Sequence, residues 1–261
     1  MEGITHDALV GLGISALLCT TLPIVVFLAL RRPLQLSLRN AFVGVAVFVV
    51  VVGVLEMAMH GYLLQMNPVT RTFFDAHPVA YAIYVAAAAG IFEETGRYIA
   101  MRRLVRRLPG WGTPVAYGIG HGGTEALFIG INAGLLAVLG YVIASGEAQG
   151  LGLDGAAVAT IGKTFKGVTA WTGVIGGVER AAALVLQVGL SFLVWQAVKS
   201  GRIAFWFAAM AAHFAVDFPA ALYQRHLLPI TLVELEGFLV ALAILVLAGI
   251  WAFAPREEEQ L

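Results

Sequence analysis

Residues 93–125 read EETGRYIAMRRLVRRLPGWGTPVAYGIGHGGTE, and the rest of the chain is best interpreted around them. Two apolar segments are joined here by a basic turn, and the polar groups within them are Glu93, Glu94, Arg97, His121 and Glu125. A carboxylate at bilayer depth costs about 3 kcal/mol even on lenient insertion scales. Two carboxylates beside an arginine therefore indicate a functional site inside a membrane.

The composition of the whole chain supports a membrane location. The 261 residues are 60% hydrophobic and 12% charged, and the mean hydropathy of +0.87 lies outside the range of soluble domains. Thirty glycines in long apolar runs suit closely packed helices and argue against an outer-membrane barrel. We therefore predict an all-α, multi-pass membrane protein in one domain, 1–261, with the motif-bearing core at about 79–224.

The net charge and the cysteine content limit which partners, disulfides and metal sites we expect. The formal net charge is zero, so we expect membrane lipid and no nucleic acid as a partner, with the run 256–259 forming a solvated tail. Cys19 is the single cysteine, which excludes an intramolecular disulfide and a multi-cysteine metal site. Glu2 and Asp7 near the start predict a retained first helix rather than a cleaved signal peptide.

Seven segments are long and apolar enough to cross a bilayer: 8–30, 40–64, 79–101, 114–144, 178–198, 203–224 and 230–253. Ten basic residues fall in alternate connections, which predicts that these connections are cytoplasmic: Arg31, Arg32, Arg39, Arg102, Arg103, Arg106, Arg107, Lys199, Arg202 and Arg256. The other side carries only Arg71, Lys163, Lys166 and Arg225. The N-terminus is then outside and the C-terminus cytoplasmic, in a bacterial or archaeal inner membrane.

The long connection 146–177 is rich in glycine and carries Lys163 and Lys166 among apolar residues. This pattern favours an interfacial helix over a simple loop. No internal repeat of the kind that many transporters contain is visible in the sequence.

Counting helical rise from the cytoplasmic ends places the polar groups in one layer. At about 1.5 Å per residue, Glu94 lies roughly 12 Å deep, His121 roughly 10 Å, and Glu125 and His213 roughly 16 Å. Spacings of three or four residues also put His121 with Glu125, His213 with Asp217, and the glutamate pair with Arg97 on shared helix faces.

Other polar residues in the apolar segments count to the outer half, too far for this cluster unless helices are broken or tilted. We interpret Glu56 with His60 as a hydrogen-bonded pair and Glu179 with Arg180 as an ion pair near the interface. Asn132 and Gln187 are interpreted as residues that hydrogen bond between helices.

Buried carboxylates and histidines supply what hydrolysis requires, namely a base for water, a partner that orients it, and donors for an oxyanion. The same groups could bind a metal. The nitrogen and oxygen ligands that zinc accepts would come from His121, Glu125, His213 and Asp217, with the pair Glu93–Glu94 as the base. Each pair alone could be simple helix packing, but three pairs at one depth favour a site.

Three motifs in chain order resemble those of the CAAX-protease and bacteriocin-processing (ABI, CPBP) membrane endopeptidases. They are FEETGR at 92–97, YGIGH at 117–121 and HFAVD at 213–217. They match a paired glutamate with a downstream arginine, an aromatic residue four before a histidine, and a histidine four before an asparagine-like residue. The run HGGTE at 121–125 and the seven-helix length are most similar to the YhfC-like membrane peptidases.

The resemblance implies roles for individual residues. Glu93 would be the base that activates water, His121 its partner, and His213 with Asp217 the oxyanion-binding or ligand-binding side. Arg97 comes one residue earlier than in the CAAX-protease pattern but shares the same helix face. Asp217 replaces asparagine, and an ionised aspartate cannot donate to an oxyanion. Aspartate here must be protonated, orient His213, or bind metal, which together with Glu125 favours a zinc site.

These observations favour an intramembrane endopeptidase, of glutamic or metal-dependent type, that cleaves a peptide or membrane-protein substrate near the cytoplasmic side. The alternative from another class is a proton- or metal-coupled transporter that uses the same buried acids and histidines. The off-centre cluster and the lack of repeats favour the protease. The complete set of glutamates and histidines argues against a catalytically silent scaffold.

The distribution of basic residues makes the orientation testable. We expect a cysteine placed at Arg106 to react with a membrane-impermeant thiol reagent only after the membrane is opened. A cysteine at Lys166 should react in intact cells, and the reverse labelling pattern would contradict the predicted orientation.

Overall fold

The computed structural model of the protein describes residues 4–108 and 110–252. Within these ranges every regular element is a helix and no strand occurs, which confirms the all-α prediction. The predicted tail 256–259, Glu2 and the last residue of the segment 230–253 lie outside the described residues.

The described ranges contain ten α-helices: α1 (His6–Arg31), α2 (Leu38–Val47), α3 (Met57–His60), α4 (Pro68–Ala76), α5 (Pro78–Arg103), α6 (Gly112–Ala144), α7 (Gly155–Thr164), α8 (Ala170–Ser200), α9 (Ala204–Gln224) and α10 (Leu232–Ala252). Two π-helical segments, Phe48–Glu56 and Gly61–Met66, flank α3, so that Leu38–Met66 forms one helical stretch of 29 residues. The sequence pattern did not predict these π segments or α4.

Six of the helical stretches in the described ranges are long and apolar enough to cross a membrane: α1, Leu38–Met66, α6, α8, α9 and α10. The protein is thus a multi-pass membrane protein. The remaining predicted segment is α5, whose 26 residues span about 39 Å. Its charged residues lower its mean hydropathy, so a seventh crossing by α5 stays a prediction, as does the orientation.

Capping explains where several helices begin. Asn67 accepts hydrogen bonds from the first turn of α4, and Pro68 occupies the first helical position. Thr169 and Thr172 form a reciprocal cap at the start of α8. As a result, α8 begins at Ala170, earlier than the predicted boundary at residue 178.

The connection 146–177 contains a 3₁₀ turn at Ala148–Leu151 and the helix α7. A helix therefore forms where the glycine-rich pattern favoured one. Its location at the membrane interface stays a prediction.

Close helix packing depends on glycine at a few positions. A Cβ atom on Gly173 would collide with the backbone of Gly11, so α8 and α1 meet backbone to backbone. A Cβ atom on Gly120 would collide with the backbone of Ala41, which brings α6 against α2. Helix α8 also packs against α5, α6, α9 and α10. This arrangement makes α8 the central helix against which the site residues are placed.

An apolar cluster fills the bundle towards the C-terminal end of α5. Its buried members are Val47, Ala100, Met101, Tyr117, Leu190, Val194, Trp195 and Ala209. The cluster lies on the side of the site that leads to the basic turn after α5.

Candidate active site

The glutamate pair and arginine of α5 are buried in the helix bundle. Glu94 and Arg97 are completely buried, and Arg97 Nη2 lies 3.5 Å from Glu94 Oε1. Arg97 Nη1 donates to the backbone oxygen of Gln187 at 3.1 Å, and Nη2 donates to the side-chain oxygen of Gln187. Because the guanidinium is shared between a carboxylate and α8, it fixes α5 against α8.

The first histidine contacts the other glutamate. His121 on α6 is completely buried, and its Nε2 lies 2.8 Å from Glu93 Oε2. The Phe48 ring meets the imidazole edge-on at a centroid distance of 5.3 Å, and Tyr117 stacks near it at 6.0 Å. Among the described residues, His121 Nδ1 has no hydrogen-bond partner. The aromatic contacts thus hold the ring with Nε2 facing Glu93.

The second histidine contacts both glutamates and its own helix. His213 Nδ1 on α9 lies 2.8 Å from Glu94 Oε1, while Nε2 lies 3.4 Å from Asp217 Oδ2 and 3.9 Å from Glu93 Oε2. Glu94 is a carboxylate paired with Arg97, so it can only accept a hydrogen bond from the histidine. We therefore place a proton on His213 Nδ1, which donates it to Glu94. The other ring nitrogen, Nε2, faces the carboxylates of Glu93 and Asp217.

Gln187 on α8 connects the parts of the cluster. The side-chain oxygen of Gln187 accepts from Arg97. Its side-chain nitrogen donates to Glu93 Oε2 and to Glu125 Oε2, both at 3.3 Å. The sequence predicts Gln187 only as a residue that hydrogen bonds between helices, and its contacts with the site were not predicted. Its position seven residues after Arg180 was a usable signal, since that spacing places both side chains on one helix face.

Glu125 is held away from the histidines. Arg180 Nη1 donates to Glu125 Oε1 at 2.5 Å and also pairs with Glu179. The predicted Glu179–Arg180 pair is therefore confirmed. The prediction that Arg180 lies too far from the cluster is wrong, because the early start of α8 carries Arg180 deeper into the bundle.

A cavity of about 440 Å³ adjoins the cluster. Glu93, Glu125, Gln187, His213 and Asp217 line it, whereas Glu94 and Arg97 do not. The two neighbouring glutamates thus face different surroundings, since Glu93 borders the cavity and Glu94 is enclosed by Arg97 and His213.

The cavity extends from Glu93 away from the basic turn after α5. Its lining includes Tyr81 on α5, twelve positions before Glu93, and Gln224 on α9, eleven positions after His213. These separations correspond to about 18 Å and about 16 Å of helical rise in the same direction. The apolar cluster closes the opposite side. In the predicted orientation, the cavity extends towards the outer face although the cluster lies in the cytoplasmic half.

The donor atoms around Glu93 are nitrogens and oxygens of the type that a divalent metal accepts. A tetrahedral zinc ion with bonds of about 2.1 Å separates its ligands by roughly 3.4 Å. His213 Nε2 and Asp217 Oδ2 are 3.4 Å apart, close to this value. Glu93 Oε2 lies 2.8 Å from His121 Nε2 and 3.9 Å from His213 Nε2. No three His, Cys, Asp or Glu side chains in the described ranges already form a complete ligand geometry. Side-chain movements would be needed to form one.

The fold and this cluster define a multi-pass membrane protein with a buried acid and histidine site beside a cavity. A family profile described as YhfC intramembrane metalloprotease matches residues 18–239, and the chain belongs to that family. It is 36% identical over 226 residues to the "Uncharacterized membrane protein YhfC" of Bacillus subtilis (strain 168), covering 85% of this chain and 87% of that protein. No solved structure matches the chain.

The burial of the Glu94–Arg97 pair leads to a prediction about the stability of the protein. Replacing Arg97 with methionine leaves the Glu94 carboxylate buried without its cation, which we expect to cost about 3–5 kcal/mol of unfolding free energy. The double variant R97M/E94Q should recover a large part of this loss. Thermal unfolding in detergent measures both, with R71Q as the control because the Arg71–Asp75 pair is exposed. Equal losses in R97M and R71Q would contradict the structural role of the buried pair.

Proposed function

We propose that the protein is a metal-dependent intramembrane endopeptidase that hydrolyses peptide bonds of a peptide or membrane-protein substrate. The observation that carries this proposal is the Glu93 carboxylate, held between His121 and Gln187 at the closed end of a cavity. Such a carboxylate can reach water and substrate while its orientation is maintained by two other helices. The metalloprotease family to which the chain belongs supports the same reaction class.

Glu93 is the general base in this proposal. It takes a proton from the attacking water and returns a proton to the amine that leaves when the peptide bond breaks, so the products are one carboxyl and one amino group. The Gln187 side-chain nitrogen keeps Glu93 Oε2 in place for both transfers.

His213 and Asp217 would hold the metal, and His121 would join them by exchanging its hydrogen bond with Glu93 for the metal. A bound zinc ion would supply Lewis-acid activation of water and stabilisation of the developing oxyanion. Glu125 is excluded from this ligand set because Arg180 and Gln187 occupy its oxygens. Asp217 is suited to this position as a ligand, which accounts for an aspartate where the CAAX-protease pattern has an asparagine-like residue.

Glu94 and Arg97 position the site without contacting the cavity. Glu94 accepts from His213 Nδ1, and such a partner fixes the ring orientation and tautomer of a metal-binding histidine. Arg97 in turn holds Glu94 and α8. These contacts support the proposal that the chain is related to the wider CAAX-protease and bacteriocin-processing group, with Glu93 in the role of the first glutamate.

The proposed place of cleavage follows from the depth of Glu93. It lies ten residues before Arg103 and fifteen after Pro78 on α5, so the reaction takes place in the half of the helix nearer the basic turn. In the predicted orientation this is the cytoplasmic half of the membrane. Substrate and water would reach it through the cavity from the opposite side.

The different surroundings of the two glutamates give a direct test. We expect E93Q to fold normally in detergent and to lose cleavage of a membrane-tethered peptide by a factor of about 10² to 10⁴, because the amide cannot transfer the proton. E94Q should lower the unfolding temperature and retain residual turnover, because it loses the partner of Arg97. Cleavage rates and thermal unfolding of the two variants are measured together.

Two outcomes would change this assignment. Robust cleavage by E93Q together with a well-folded, inactive E94Q would exchange the two roles. Full activity in both variants would end the protease proposal.

The ligand set gives a second test. We expect the purified protein to carry one divalent ion per chain, zinc by preference, and expect H121A and H213A to lose it. E125Q is the matched control and should retain the ion, since Glu125 is bound by Arg180. Elemental analysis by mass spectrometry measures the metal content. Metal-free protein that still hydrolyses substrate would leave a glutamate and histidine mechanism in place of the metal-dependent one.

A further inference from the structure

A second polar group lies along the same cavity and has no role in the proposed hydrolysis. Glu56 and His60 line the cavity, and His60 also contacts Tyr84 of α5. The predicted Glu56–His60 hydrogen bond is confirmed, with His60 Nε2 3.1 Å from Glu56 Oε1. His60 Nδ1 lies 2.8 Å from the Tyr84 hydroxyl.

The hydrogen bonds among Glu56, His60 and Tyr84 leave one oxygen of the Glu56 side chain without a donor. If the Tyr84 hydroxyl donates to His60 Nδ1, the imidazole is neutral and its Nε2 proton is donated to Glu56 Oε1. Glu56 is 6% exposed, and its Oε2 atom has no partner among the described residues. A carboxylate in this arrangement requires a further donor, because leaving a buried acceptor unpaired is costly.

The charge of the cavity favours a cation as that donor. Five carboxylates and one guanidinium line the cavity in the part of the chain that the structure describes: Glu56, Glu93, Glu125, Glu179, Asp217 and Arg180. Arg180 is already paired with Glu125 and Glu179. Arg180 is therefore not available to pair with a ligand. An anionic ligand near Glu56 would be surrounded mainly by acceptor atoms, which disfavours it.

The local backbone is consistent with a functional role for this group. Glu56 ends one π-helical segment, and a second begins directly after His60. π-helical turns inside helices occur frequently at functional sites.

We propose that Glu56 binds a protonated amine of the substrate, either a lysine side chain or a free N-terminal amine. This inference rests on the proposed peptidase function and adds a specificity site to it. Tyr84 precedes Glu93 by nine positions on α5, which is about 13.5 Å of helical rise. An extended peptide advances about 3.3 Å per residue. The substrate residue that bears the amine therefore lies about four residues along the chain from the cleaved bond.

The experiment uses membrane-tethered peptides in which one lysine is moved along the chain on either side of the cleaved bond. The matched peptides carry norleucine at the same position, and a second series has a free or an acetylated N-terminus. With the wild-type protein we expect lysine about four residues away to be preferred over norleucine by about tenfold, the effect of one hydrogen bond to a charged group. A preference for the free N-terminus alone would identify the α-amine as the source.

E56Q keeps the shape of the side chain and removes its charge, so the lysine preference should fall towards one. Y84F releases His60 from its partner and should lower the preference without removing the carboxylate. E147Q is the control, because Glu147 is exposed and lies away from the cavity. Its lysine preference should equal that of the wild type.

A binding measurement separates this inference from the peptidase proposal. The affinity of the lysine and norleucine peptides is compared on E93Q and on E93Q/E56Q in detergent. A lysine preference in binding to E93Q that is lost in E93Q/E56Q, together with wild-type protein that cleaves none of the peptides, would overturn the peptidase proposal and retain the amine site. Equal binding and equal cleavage of lysine, norleucine and acetylated peptides by protein with intact Glu56 would overturn the amine site, even if E56Q fails to fold.

Discussion

The buried contact between Glu94 and Arg97 is the constraint on which the rest of the site depends. Removing two charges from water costs several kcal/mol each, and their attraction offsets this cost only when the remaining hydrogen-bonding atoms are also satisfied. Arg97 therefore needs the carbonyl and side chain of Gln187 from α8, and Glu94 needs His213 from α9. A single residue pair on α5 thus requires two other helices to stand at a defined rotation and depth.

The fixed rotation and depth of these helices give the two adjacent glutamates different roles. Neighbouring residues on an α-helix point about 100° apart, so Glu93 and Glu94 cannot face the same surroundings. With Glu94 committed to Arg97 and His213, Glu93 is directed to His121, Gln187 and the cavity. The proposed base is therefore placed by the neighbour that holds the helix in position, and replacing either glutamate should have a different physical effect.

The cavity extends the chemistry beyond this cluster. Apolar packing closes it on the side of the basic turn, while polar side chains follow it for about 18 Å in the other direction. Its walls carry more carboxylates than cations, and the one guanidinium in the described lining is paired twice. Hydrolysis at the closed end and recognition of a positive group farther out are compatible because the two sites are separated along one path.

The membrane class, the all-α fold, most of the helix positions and the residues that could carry chemistry were predictable from the sequence, because hydropathy and helical spacing are local properties. It also identified the Glu56–His60 and Glu179–Arg180 pairs, whose members are close in the chain. Which glutamate pairs with Arg97, the joining of Glu125 to Arg180, and the connecting role of Gln187 were decided only by the tertiary structure. Glu94 and Arg97 lie on one helix, but the choice of Glu94 over Glu93 depends on Gln187 of α8 and His213 of α9. The other two contacts join different helices, whose relative rotation and depth depend on packing across the whole bundle and are not specified by spacing within one helix.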